Sequence, residues 1–234
     1  MTQRKAPVHR LGLSQILAYG LLFYSFASIK DSLALHVGVS DSAIIMALSV
    51  ALFIEALLAP AVGQLVDRLG ALTVLRAGLV IGGVGYAMLT LIPTIEWVWL
   101  SIGLVTLGHA LGTYTVAFAV PVQFDEKSAR RKISIITFYG GVASSLVWLT
   151  QSALLPTIGL QNTTFLGGGL LILMGALVLR MKTADRPPKV SHVEPFRWSL
   201  LTRDEKKALL LLATSGAVDF INFTGLTLLF ITWF

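Results

Sequence analysis

Charged residues divide this chain into long apolar runs. Five runs carry no Lys or Arg and at most one acidic residue, and they cover 11–29, 42–66, 77–95, 97–124 and 208–234. A sixth run, 133–179, is uncharged over 47 residues. Since a helix needs about 20 apolar residues to cross roughly 30 Å of hydrocarbon, the sixth run is long enough for two helices. Pro, Gly and Asn within 155–164 mark the turn between them, so the pattern predicts seven membrane spans.

The charges then indicate how these spans are oriented. Only 13% of the 234 residues are charged, against about 25% in an average soluble domain. If the N-terminus is cytoplasmic, every one of the 18 Lys and Arg residues except Lys30 falls on the cytoplasmic side. This bias predicts a multi-pass protein of the cell inner membrane with a cytoplasmic N-terminus and an extracytoplasmic C-terminus. The net charge of +6 then reflects topology and anionic lipid rather than nucleic-acid binding.

The stretch GQLVDRLG, residues 63–70, places two opposite charges in the turn between the second and third spans. It resembles the G-x-x-x-D-R-x-G signature of the major facilitator superfamily. The resemblance implies that these residues form a latch between conformations, at positions Gly63, Asp67, Arg68 and Gly70. Family members usually carry basic residues directly after the second glycine, where this chain has Ala71 and Leu72. A plain turn, in which the two charges only solvate helix ends, is the alternative.

The same resemblance implies an all-α polytopic membrane fold. We expect a cytoplasmic N-terminus at 1–10, a six-helix bundle at 11–182, a cytoplasmic linker at 183–207 and a seventh span at 208–234. The bundle would consist of two inverted three-helix repeats. Thr202 and Glu205 have the spacing of a capping box before the last span. That span would open a second half that is missing, so the expected protein is an incomplete carrier, or alternatively a truncated membrane protein that does not transport.

Polar residues recur on one face of several spans, and the resemblance implies that spans one, four and seven line the substrate cavity. At 100° per residue, one face of span one holds, within about 80°, Gln15, Tyr19, Phe23, Phe26 and Lys30. Other polar faces contain His109 in span four and both Trp148 and Gln151 in span five. The predicted substrate-binding residues are therefore Tyr19, Lys30, His109, Trp148 and Gln151. A lysine that reaches for the membrane surface and a packing histidine are the alternatives for Lys30 and His109.

Two acidic residues lie inside predicted spans, Glu55 and Asp219. An ionised carboxylate at the centre of a span costs roughly 3 kcal/mol, so both are predicted to face the bundle. We expect them to couple transport to protons, with a hydrogen-bonded structural acid as the alternative. The stretch YSFASIK, 24–30, loosely resembles the first helix of monocarboxylate carriers, in which a lysine binds the carboxylate.

The expected function is secondary active transport of a small solute by alternating access, with an organic anion and proton coupling as the favoured version. A multidrug or sugar exporter of the same superfamily is the rival, although the glycine-proline signature of drug antiporters does not occur around Gly140. No H-E-x-x-H or G-x-S-x-G motif is present, so an enzyme is not expected. No cofactor or metal is predicted. The expected partners are the lipid bilayer, the solute, protons and the missing second half.

Overall fold

The computed structural model describes residues 8–124, 126–179, 202–211, 213–215 and 218, and no strand occurs among them. Among the described residues up to 179 there are eight α-helices and one π-helical segment. They are α1 (Val8–Tyr19), the π-helical segment (Gly20–Tyr24), α2 (Ser25–Val37), α3 (Asp41–Leu69), α4 (Ala71–Met88), α5 (Ile95–Gly112), α6 (Tyr114–Phe124), α7 (Glu126–Gly141) and α8 (Ala143–Leu179).

The helices join into continuous apolar stretches that are long enough to cross a membrane. These stretches are Val8–Val37, Asp41–Leu69, Ala71–Met88, Ile95–Phe124 and Lys127–Val178. The last has 52 residues and would measure about 78 Å as one straight helix, more than twice the hydrocarbon thickness. Gly159, at φ 78° and ψ 169°, breaks it. The described residues thus contain six spans, and the turn predicted within 155–164 is confirmed.

The third span begins earlier than the charge pattern predicts. It starts at Ala71 rather than at 77, so Arg76 belongs to α4 and not to the preceding turn. Its side chain is half-buried, and Nε donates a hydrogen bond to the carbonyl of Val178, 3.1 Å away. A charged side chain is tolerated there because it satisfies a carbonyl near the end of α8, where the helix's last carbonyls lack partners of their own.

Close packing around α4 depends on glycine. A Cβ added to Gly78 would lie 2.5 Å from the backbone nitrogen of Gly112, and one added to Gly83 would lie 2.7 Å from the carbonyl oxygen of Gly168. α4 therefore lies in backbone contact with both α5 and α8, as small residues allow in membrane helices. Gly82, four residues after Gly78, continues this contact, since a Cβ there would lie 3.3 Å from the Cα of Gly108.

The chain divides into two compact units, Met1–Pro188 and Lys189–Phe234. In the second unit, residues 203–211 are helical. The predicted capping box is present: the backbone N–H of Thr202 donates to Glu205 Oε2 at 2.8 Å, and Thr202 Oγ1 accepts from the backbone N–H of Glu205 at 3.3 Å. The hydrogen bond from the Thr202 backbone lowers the pKa of Glu205. The domain boundaries expected from the sequence stay a prediction.

Candidate functional site

A buried acid–imidazole pair joins the second and fourth spans. Glu55 of α3 and His109 of α5 meet through Oε1 and Nδ1 at 2.8 Å, and their side chains are 19% and 12% exposed. Glu55 Oε2 and His109 Nε2 are buried and have no hydrogen-bond partner among the described residues. Within that part of the chain, no cluster of three His, Cys, Asp or Glu residues could hold a metal. The sequence suggested separate roles for these two residues, and the structure brings them together.

Two aromatic rings contact the imidazole of this pair, and two more extend the cluster. The ring centroid of Tyr19 lies 5.4 Å from that of His109 in an edge-on arrangement, and the centroid of Phe23 lies 5.7 Å away. Tyr114 packs 4.4 Å from Tyr19, and Phe118 stacks on Tyr114 at 4.8 Å. These rings leave the imidazole in largely apolar surroundings, where its bond to Glu55 is electrostatically stronger than in water.

Two irregularities in the helices bring these rings together. The first is the π-helical segment, in which the N–H of Ser25 bonds to the carbonyl of Gly20. The second is the break at Thr113 between α5 and α6, where the Thr113 hydroxyl donates to the His109 carbonyl at 2.8 Å. π-helical turns inside α-helices are rare and occur frequently at functional sites. The rings of this cluster therefore lie beside or within irregular turns of their helices.

The single polar face predicted for span one ends at the π-helical segment. Gln15 donates to the carbonyl of Gly112 at 3.1 Å, and Tyr19 and Phe23 contact His109, so this part of the face points to α5 as expected. Phe26 instead packs edge-on against Tyr86 of α4, with ring centroids 6.3 Å apart. The prediction of one continuous face is wrong, because one extra residue in a turn rotates the following side chains by about 100°.

Lys30, the only Lys or Arg outside the cytoplasmic segments of the predicted topology, is paired with an acid. It is buried within α2, and Nζ donates to Asp31 Oδ1 at 2.5 Å. The Asp31 side chain is 69% exposed. No hydrogen bond or ion pair joins Lys30 to Glu55 or His109 among the described residues. A sequence signal for this pair existed, since an acid directly follows the lysine.

The other predicted site residues lie apart from the Glu55–His109 pair. Trp148 is 64% exposed on α8. Gln151 is buried and donates to the hydroxyl of Tyr86 at 2.9 Å, so it ties α8 to α4. Asp219 lies outside the described residues. Of the five predicted substrate-binding residues, the structure brings only Tyr19 and His109 into contact.

The signature motif lies mostly within α3, which ends at Leu69. Asp67 and Arg68 therefore belong to the last turn of this helix and not, as the charge pattern predicts, to the connection between the spans, and only Gly70 lies outside the helix. Gly70 adopts φ 84° and ψ 140°, a conformation that favours glycine, and its N–H donates to the carbonyl of Val66 at 2.9 Å. The side chains of Asp67 and Arg68 are exposed, and neither makes a hydrogen bond or ion pair to another described residue. A Cβ on Gly63 would meet nothing within 4 Å, so packing in the described part does not require glycine there.

A residue that the sequence did not single out completes this turn. Gln123, at the end of α6, accepts a hydrogen bond from the backbone N–H of Ala71 through Oε1 at 2.9 Å. It thereby satisfies one of the free N–H groups at the start of α4. The only sequence feature that marks Gln123 is a polar side chain near the end of an apolar run. Its partner Ala71 is 52 residues away in the sequence.

Comparison with known families identifies the family of this chain. The sequence profile of the Major Facilitator Superfamily matches residues 11–234. The chain therefore belongs to the major facilitator superfamily and is a multi-pass membrane transporter. A comparison with curated proteins finds no match to this chain.

Proposed function

We propose that the protein carries out secondary active transport of a small solute by alternating access and that the Glu55–His109 pair couples this transport to protons. The observation that supports the proposal is the 2.8 Å contact between the two side chains inside membrane-spanning helices. Asp219 is the second proposed proton-coupling residue, on the sequence pattern alone. The N-terminus is proposed to be cytoplasmic because of the Lys and Arg distribution.

The pair is suited to hold one exchangeable proton. A hydrogen-bonded carboxyl and imidazole have no net charge whether the proton is on Glu55 or on His109. Release of that proton leaves one negative charge among apolar side chains, where an unpaired charge is expensive. Each protonation state therefore favours a different degree of water access, and a carrier with two conformations responds by a shift in population. Because Nδ1 bonds Glu55, Nε2 is the imidazole atom available for proton exchange.

The favoured solute is an organic anion, and Lys30 is the residue proposed to bind it. Desolvation strengthens the attraction between the buried ammonium and a carboxylate. Asp31 occupies the ammonium at present, so an anion has to displace this carboxylate. The Asp31 side chain is exposed, and an ion pair with an exposed partner contributes little stability. An incoming anion can therefore displace Asp31. The likeness to monocarboxylate carriers depends on this lysine.

The aromatic rings support a second candidate, export of a drug or sugar by the same superfamily mechanism. Tyr19 and Phe23 lie against His109, and Tyr114 and Phe118 continue the aromatic cluster from Tyr19. Such rings bind apolar or cationic molecules and the apolar faces of sugars. This candidate differs from the first in its substrate and does not require Lys30.

The latch proposed for the signature turn is supported by the exposure of Asp67 at the end of α3. An anion at a helix N-terminus gains about 0.3–1 kcal/mol, a strength that suits a contact which breaks in every cycle. The partner helix end is not among the described residues. Loss of solute exchange in Asp67→Asn, with unchanged amounts of folded protein, would support the latch.

The test of proton coupling is solute accumulation in vesicles that contain the carrier. A panel of lactate, pyruvate, a hexose and a lipophilic cation identifies the solute by its saturable uptake. For the solute found, an imposed proton gradient should drive accumulation in the wild type but not in Glu55→Gln, while exchange of solute without a gradient persists. Glu96→Gln is the matched control, since Glu96 is an exposed acid in the first turn of α5. Gradient-driven accumulation that survives in Glu55→Gln would show that the pair does not couple protons.

A further inference from the structure

Three cations lie on one exposed face of α7. Lys127, Arg130 and Arg131 are exposed, and none of the three side chains makes a hydrogen bond or ion pair to another described residue. At 100° per residue they fall within a sector of about 100°. The opposite face of the helix is packed, since Ala129 and Ile136 are buried. The packing of α7 therefore turns these three charges outwards, and we call them the basic face.

The basic face lies where α7 enters the membrane. The uncharged run begins at 133, so Arg131 precedes it by about 3 Å of helix and Lys127 by about 9 Å. The polar layer on each side of the hydrocarbon is roughly 5–7 Å thick, which places the three side chains at the depth of lipid phosphates. Residues 125–132 include four cations and two acids, so the segment keeps a net charge of +2. This position is the same for either orientation of the chain.

The same side of α7 continues as an apolar surface. Ser134 and Phe138 fall inside the sector of the basic face, and Phe138 is 75% exposed. Along the helix axis, Phe138 lies about 10 Å from Arg131, on the hydrocarbon side. Cations followed by an apolar ring match the anionic headgroup and the acyl chain of a phospholipid. A free phosphate or an acidic peptide in water would contact only the cations.

We propose that the basic face and Phe138 together bind one anionic phospholipid, with its phosphate on the three cations and an acyl chain along the phenyl ring. Arginine suits this role because its planar guanidinium bonds a phosphate through two parallel N–H groups. The proposal goes beyond the proposed transport function and does not rest on it, because no residue of the proton-coupling or solute-binding sites takes part.

The experiment is native mass spectrometry of the purified full chain, released from detergent with a graded amount of one added probe. The probes are phosphatidylglycerol, phosphatidylcholine with the same acyl chains, and glycerol 3-phosphate as a soluble headgroup. We expect one phosphatidylglycerol to bind at least about tenfold more tightly than phosphatidylcholine, since each cation at an anionic surface contributes about fivefold. Glycerol 3-phosphate should not be retained at the concentration that saturates phosphatidylglycerol binding.

Paired substitutions test where the lipid binds. Arg130→Gln with Arg131→Gln should weaken phosphatidylglycerol binding at least about tenfold and leave phosphatidylcholine binding unchanged, whereas the two corresponding lysine substitutions should retain most of it. Arg203→Gln with Lys207→Gln is the matched control, because it removes the same charge from exposed residues of the helix at 203–211. This control should preserve the binding.

The apolar part of the site has its own variant. Phe138→Ala should weaken phosphatidylglycerol binding several-fold, and Phe53→Ala should not, although Phe53 is 66% exposed in α3. If the paired glutamine variant does not fold, the comparison of the two lipids and of these two alanine variants still decides the matter.

Three results would overturn the proposal. Equal weakening in the glutamine pair of α7 and in its control would indicate attraction to the net charge alone. Equal binding of the two lipids, or retention of glycerol 3-phosphate at the same concentration, would indicate a shell lipid or a plain anion site. Unchanged binding in Phe138→Ala would show that the acyl chain lies elsewhere. Solute transport is not measured here, so failure of this proposal and failure of the proposed function are distinguishable.

Discussion

The bond between Glu55 and His109 predicts a specific non-additivity in stability. Glu55→Leu leaves both imidazole nitrogens of His109 without a partner among the described residues, and His109→Leu does the same to both carboxyl oxygens of Glu55. Each single change therefore leaves a buried polar group unsatisfied, at a cost of about 1–3 kcal/mol. The double change removes both groups together, so it should cost less than the sum of the single changes.

The size of this coupling follows from the geometry and the membrane setting. Hydrogen bonds between membrane helices contribute about 0.6 kcal/mol on average and up to about 1.7 kcal/mol, because partners are also found in the unfolded state. The Glu55–His109 bond is short and largely buried and involves an ionisable acid, which places it at the upper end. We expect a coupling free energy of about 1.5 kcal/mol, which is well above the 0.3–0.5 kcal/mol scatter of independent sites.

The assay is reversible unfolding of the purified chain in mixed detergent micelles, followed by circular dichroism for the wild type, both single variants and the double variant. The control cycle combines His109→Leu with Glu96→Leu, because the Glu96 side chain is exposed and makes no hydrogen bond to His109. That control should be additive. Additive losses in the Glu55–His109 cycle, within about 0.3 kcal/mol, would refute the conclusion that the two side chains form one unit.

Three further predictions follow from other contacts. Asp31→Asn should tighten binding of a transported carboxylate several-fold by freeing Lys30, whereas Lys30→Gln should abolish this binding. Isotope-exchange uptake measures the affinity. An unchanged affinity in both variants would exclude Lys30 from anion binding. Gly78→Ala should destabilise the chain by about 1–3 kcal/mol, because its Cβ would press on α5 backbone that cannot yield; a melting temperature equal to that of the wild type would contradict the packing. The pKa of Glu205 is lowered, so the stability that its cap gives to helix 203–211 is present above the ordinary glutamate pKa and is lost as the pH falls through the lowered value. An NMR titration of this helix should show the loss. Thr202→Ala should raise the pKa of Glu205.

Much of the membrane architecture follows from the sequence by itself. Most of the described spans overlap the uncharged runs, because a segment's transfer into hydrocarbon depends on its own composition and length. The exception is α4, which begins at Ala71, before the run that starts at 77, and includes Arg76. The helix breaks at Gly70 and Gly159 could also be predicted from the sequence, because glycine is the residue that most readily adopts a positive φ. The signature motif led to the superfamily for a related reason, because its spacing is local.

Only the tertiary structure decided which polar groups meet. Glu55 and His109 are 54 residues apart, and nothing in either span's pattern distinguishes a bonded pair from two separate sites. The π-helical segment was hidden as well, because the apolar pattern of Gly20–Tyr24 fits a regular helix equally well. The extra residue in this segment directs Phe26 towards Tyr86 and away from the helix face that carries Tyr19. Side-chain direction is set by the sum of all preceding turns and by the packing of neighbouring helices, so a local pattern determines where a span lies and not what each of its faces contacts.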